Sequence, residues 1–164
     1  MIRLLSPARV ICASVAVLAV LFAIGWATRE NPKEKPLLMI LGGGFMFNYR
    51  IGQVDYGFTA QVSKPLESGS IIEARFEDPA GGDDLVVRER VSPMTDRYAL
   101  HSPPVRGVEA HHPYKVGIRV LDRLEKTELW KTELQFRSQI SDDVVPKKPL
   151  VIGPGYDKNP EADG

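Results

Sequence analysis

Between Arg9 and Arg29 lie nineteen consecutive residues without a charge, Val10 to Thr28. As a helix rising about 1.5 Å per residue, such a segment measures roughly 28 Å, the thickness of a bilayer's hydrocarbon core. It has no polar face to offer water, so lipid or protein must cover it on every side. A cleaved signal peptide is the competing reading, with Arg3 and Arg9 as a positive n-region and Gly25 and Ala27 as small residues before a cleavage point. The apolar stretch is long for that role, and Trp26 sits where an interfacial aromatic belongs. Residues 1–28 therefore read as an uncleaved transmembrane anchor.

Lys and Arg set the orientation of such an anchor. Arg3, Arg9 and the α-amine precede it, and Arg29, Lys33 and Lys35 come after it. This near tie is broken by the shortness of the positive N-terminus, which behaves as a signal anchor and sends the downstream chain away from the cytoplasm. In a Gram-negative cell the protein is then a single-pass inner-membrane protein with its domain facing the periplasm. The lone cysteine, Cys12, lies inside the apolar segment, and Ile11 and Arg9 before it do not fit a lipidation box. No thiol remains for a disulfide, a zinc site or a nucleophile in the rest of the chain.

Residues 29–36 are charged, hold two prolines and lack apolar periodicity, which marks a linker. The 21 basic and 21 acidic residues cancel overall, but three arginines precede the first carboxylate, Glu30, so the chain from there on carries a net charge of −3. Interspersed charges of that balance exclude the basic stripe that attracts nucleic acid.

From residue 37 to 140 the apolar period is two. Leu37 to Phe47 is an apolar run broken by Gly42-Gly43-Gly44, read as a buried edge element with a kink. Phe45, Phe47, Tyr49 and Ile51 alternate; after Gly52-Gln53 the phase slips by one residue, and Val54, Tyr56, Phe58, Ala60 and Val62 continue. Such a slip marks a bulge or a tight corner. Shorter alternations lie around Ile72–Phe76, Leu85–Val91 and Tyr98–Leu100. The clearest pair comes last, Tyr114–Val120 and Trp130–Phe136, a hairpin with one wet face and Trp130 turned inward. Pro, Gly and Ser clusters punctuate these runs at short intervals. The fold class is all-β, an antiparallel sandwich of about seven strands after one N-terminal transmembrane helix. Residues 141–164 hold four prolines and three glycines and read as an extended or disordered tail that resists regular pairing.

The stretch Val105-Arg106-Gly107-Val108, followed by Tyr114, Val116, Ile118 and Val120, resembles the corner between the fifth and sixth strands of fibronectin type III and immunoglobulin-like domains. The resemblance implies that Tyr114 ties that corner to upstream backbone through its hydroxyl, and that Phe76 is the large aromatic late in the second strand. It implies a fold and no activity.

Chemistry-bearing patterns are sparse. His101, His111 and His112 are the only histidines and the candidate ligands for copper or zinc; adjacent strand residues point to opposite faces, so His111 and His112 are an awkward pair. Asp83-Asp84 reads as a hydrated turn. The triple glycine lacks the Gly-Lys-Ser/Thr ending of a phosphate loop, and no serine stands in a nucleophile elbow. Met39, Met46 and Met94 read as core fillers. No catalytic residue and no cofactor is indicated, so the chain is read as a non-enzyme. In the tail, Leu150, Val151, Ile152 and Tyr156 need apolar cover and are the candidate partner-binding residues, docking on the domain's own edge being the alternative. Three functions fit: an accessory or assembly subunit bound to a membrane complex, a periplasmic metallochaperone using the three histidines, and a binder of envelope polymers. The last would need a platform of exposed aromatics.

Overall fold

The computed structural model describes residues 7–28, 36–155 and 157–162. The chain forms two compact units, one ending at Lys35 and one beginning at Pro36.

The first unit holds one helix, α1 (Pro7–Ala27). Proline at its first position lacks only an N–H that would have gone unbonded there. At the other end Thr28 closes the last turn, its N–H and its hydroxyl both donating to Ile24 O at 2.9 Å. Val10–Ala27 is long and apolar enough to cross a membrane, and none of it is buried against protein.

The second unit is all-β. Its strands are β1 (Leu38–Asn48), β2 (Gln53–Val62), β3 (Ile71–Phe76), β4 (Leu85–Arg90), β5 (Arg97–His101), β6 (Pro113–Leu121) and β7 (Glu128–Arg137), with two short strands, β8 (Val151–Ile152) and β9 (Asp157–Lys158), near the C-terminus. One sheet runs β1-β2-β5, a second β4-β3-β6-β7, and β8-β9 is a third; every pairing is antiparallel. The sequence expects about seven strands, and seven make the two large sheets. The other two lie in the segment expected to resist pairing, where they need only two residues each between the prolines.

The phase slip at Gly52-Gln53 is a corner: residues 49–52 turn the chain from β1 into β2, with Gly52 at φ +63°. β1 is an edge strand with a register shift between Ile40 and Gly42, so its kink is a bulge. Only Leu38 in it is fully buried. Met39 and Met46 sit on its outer face, and Met94 lies 91% exposed in the turn after Val91; none of the three fills the core.

Both large sheets feed a single core. Tyr56 and Phe58 of β2, Ile72 and Phe76 of β3, Leu100 of β5, and Val116, Ile118 and Val120 of β6 are all buried in it. Each such side chain contributes about 1.5–3 kcal/mol relative to exposure. Tyr56 lies at the centre, stacked on Phe45 at 4.6 Å and edge-on to Phe76 at 5.2 Å. Its hydroxyl donates to Glu77 O, and burial together with the acidic neighbours Glu77 and Asp84 pushes its pKa upward. Phe76 closes the third strand, not the second; the second-strand aromatics are Tyr56 and Phe58, because the strand ending at Asn48 counts as the first. Trp130 packs against the core from β7, half-buried, as its alternation requires.

Candidate interaction surfaces

Tyr114 is buried and its hydroxyl accepts the N–H of Glu109 at 2.8 Å while donating to Gly107 O at 3.3 Å. That corner positions Arg106, which joins three segments. Its Nη2 donates to Gly52 O in the β1–β2 turn and to Pro146 O at 2.9 Å, and its Nη1 stands 3.8 Å from Asp142 Oδ2. The same carboxylate accepts the N–H of Gly107 at 3.0 Å, and the N–H of Asp142 donates to Val108 O at 3.0 Å. Val145, one helical turn further on, is 4% exposed and belongs to the core.

Residues 142–150 therefore run back along the domain as a strap that ends on the β1–β2 turn. There the N–H groups of Leu150 and Val151 donate to Arg50 O at 2.8 and 3.3 Å. Next comes the β8–β9 hairpin, held to the strap by Asn159, whose side-chain amide donates to Pro149 O at 2.7 Å and whose N–H donates to Leu150 O at 3.0 Å. The turn flanks Arg50 with Tyr49 and Ile51, and both are exposed, as are Leu150 and Ile152. Two segments about a hundred residues apart in sequence thus bring four large apolar side chains to one end of the domain. Val151 is partly covered, and Tyr156 lies outside the described residues. Sequence alone does not distinguish Tyr49, Ile51 and the anchoring Arg50, because their alternation reads as the end of a strand.

The three histidines do not gather. His101 on β5 holds Asp55 on β2 through Nδ1 at 2.9 Å. His111 occupies a left-handed turn at φ +63° with its N–H on Ser138 O, and His112 lies with its ring 4.8 Å from that of Tyr114. Among the described residues no three His, Cys, Asp or Glu side chains are placed to hold a metal ion.

On the outer face of the four-stranded sheet, Glu73 of β3 is fully buried although it faces away from the core. Register explains this: Glu73 pairs with Arg88 on β4 and Arg119 on β6, while Arg75 lies two residues along the same face. Its carboxylate accepts from Arg119 Nε at 2.7 Å, Arg75 Nε at 2.9 Å and Arg88 Nη2 at 2.7 Å. Burial alone would raise its pKa; the three guanidinium bonds and the charge of Arg119 outweigh burial and lower it to about 2. Arg119 is in turn held charged more firmly by Glu73. Beside the cluster, Gly117 leaves a depression of about 400 Å³ rimmed by Arg75, Arg119, Lys131 and Glu133. Opposite charges balance around it: Arg88 also reaches Glu125 at 3.0 Å, and Lys131 reaches Glu128 at 3.3 Å.

No family model, no curated protein and no solved structure matches this chain.

Proposed function

We propose that this is a single-pass membrane-anchored, non-catalytic interaction protein, an accessory or assembly subunit of a membrane complex, whose β-domain faces the periplasm from the inner membrane. The observation that carries the reading is the apolar end built from Tyr49, Ile51, Leu150 and Ile152. Exposed apolar side chains from two distant segments, held at one end by backbone bonds to Arg50, support a surface that a partner covers. The membrane-length helix supports anchoring, and the short positive N-terminus supports the periplasmic side.

The domain itself is best described as a fibronectin type III-like sandwich. The Tyr114 hydroxyl bonds support that description, and so does the strand order. The fourth strand pairs with the third, whereas in the constant-type immunoglobulin arrangement it lies beside the fifth.

The test is recovery of partners from membranes solubilised in mild detergent. Ile51→Glu combined with Ile152→Glu alters two exposed positions and should leave the unfolding midpoint in place while partners recovered with the wild-type chain are lost. Equal recovery with both chains would remove the patch from the account.

A further inference from the structure

The two large sheets leave four strand edges, and they are not alike. β4 carries Arg88, Glu89 and Arg90; β5 is five residues long and carries Arg97 and His101; β7 carries Glu128, Lys131, Glu133 and Arg137. Charge and shortness are the devices that stop an edge from pairing with another chain. β1 has neither; its one protective device is the bulge between Ile40 and Gly42, and beyond it Gly42–Asn48 runs seven residues without a charge or a proline.

The hydrogen-bonding groups along that edge are placed by the ladder beside it. Ser102 N–H donates to Tyr56 O, and Val62 N–H to Asp96 O, so the even-numbered residues of β2 bond towards β5 and the odd-numbered ones towards β1. Gly43, Phe45 and Phe47 stand opposite Phe58, Tyr56 and Val54. Their N–H and C=O groups consequently point away from β2, along the free edge. Met39, Leu41 and Met46 flank this edge and are exposed.

We propose that β1 pairs antiparallel with β1 of a second copy of this chain across a two-fold axis, joining two three-stranded sheets into one of six strands. An uncharged strand is self-complementary, because antiparallel pairing with its own copy opposes no like charges. None of the other three edges has that property over a comparable length. The occupant is a second copy because tethering confines copies to one bilayer and raises their effective concentration, a step that rests on the membrane anchoring proposed above. The edge ends at Asn48, where the turn carrying the Ile51 and Ile152 patch begins, and the two are told apart by readout: dimerisation by self-crosslinking, partner recovery by co-purification.

The test uses the full chain reconstituted in phosphatidylcholine vesicles, with Cys12→Ser to remove the native thiol. Gly44 and Met46 bond towards β2, so on the free edge they are non-bonded positions, where facing Cα atoms come within about 4.5 Å and suit a disulfide. A Cβ at Gly44 meets nothing within 4 Å. A two-fold centred on either residue links Gly44→Cys or Met46→Cys to itself, and one centred on Phe45 links the double variant. Val86→Cys, exposed on β4, is the control. The expected result is oxidation to a disulfide dimer of twice the chain's 18.2 kDa in the β1 variants, about tenfold or more above the control. Adding Met46→Lys to the Gly44→Cys chain, or Gly44→Lys to the Met46→Cys chain, puts a charge inside the paired stretch and should return crosslinking to the control level with the unfolding midpoint unchanged. Crosslinking no greater than the control, a dimer indifferent to the lysines, or a crosslinked mass that includes a different polypeptide would each overturn the proposal. Partner recovery by the Ile51 patch would be untouched by any of the three.

Discussion

Single side chains differ sharply in how far the sequence betrays them. Tyr114 is legible because its role depends on local spacing: Gly107 and Glu109, which its hydroxyl bonds, lie within seven residues. Removing the hydroxyl alone, Tyr114→Phe, should cost about 1–1.5 kcal/mol in urea unfolding, and Tyr114→Ala about 3–5 kcal/mol, since it also leaves a cavity beside Phe45. Equal and negligible losses would show that the corner bonds do not hold the fold. Glu73 is not legible, because it falls on the polar phase of its strand and reads as solvent-facing. Its burial is made by arginines 15 and 46 residues away, a product of register. Its folded-state pKa, about 2, lies below the ordinary value of 4.5, so its contribution to stability is complete above pH 4.5 and is lost as the pH falls through 2. Glu73→Gln should therefore lower stability by about 2–3 kcal/mol at neutral pH, and the gap between variant and wild type should narrow between pH 4.5 and 2. A gap independent of pH would mean that the carboxylate's charge is not what the arginines hold.

At the scale of elements, period-two alternation locates all seven long strands, since each buries one face on a shared core. It does not locate β8 and β9, which are two residues long and depend on the strap that carries them. The strap is invisible in composition because its fixings lie elsewhere: Arg106 by the corner, Arg50 in the first turn, and Gly52, where an added Cβ would come within 2.8 Å of Pro146 O. A proline- and glycine-rich composition points to a chain free along its whole length, yet Val145 sits in the core. Two truncations separate its halves. Ending the chain after Lys148 keeps Val145 and the Arg106 bonds and should cost little in unfolding midpoint. Ending it after Ile140 should cost about 2–4 kcal/mol more, from the burial of Val145 and the bonds at Asp142. Similar midpoints for both would show that residues 142–148 are not part of the folded core.

For the whole molecule, hydropathy and period-two alternation announce a membrane-length helix followed by an all-β domain. The proposed binding surface is not legible in the sequence, because the domain's apolar end is assembled only when the C-terminal strap returns to the first turn. Since no charged residue stands between Val10 and Thr28, the proposed anchoring predicts that the protein stays in the membrane fraction through an alkaline carbonate wash and that its intact mass includes Met1 or begins at Ile2. A mature chain starting near Thr28 would show the helix to be a cleaved signal. Compartment decides which partners the exposed end can meet, so the most direct measurement is protease added to spheroplasts, with immunoblotting against the domain. An anchored protein whose domain lies in the periplasm loses the domain signal while the inner membrane is still sealed. A domain that survives until the membrane is broken lies in the cytoplasm, and would contradict the placement on which the proposed function stands.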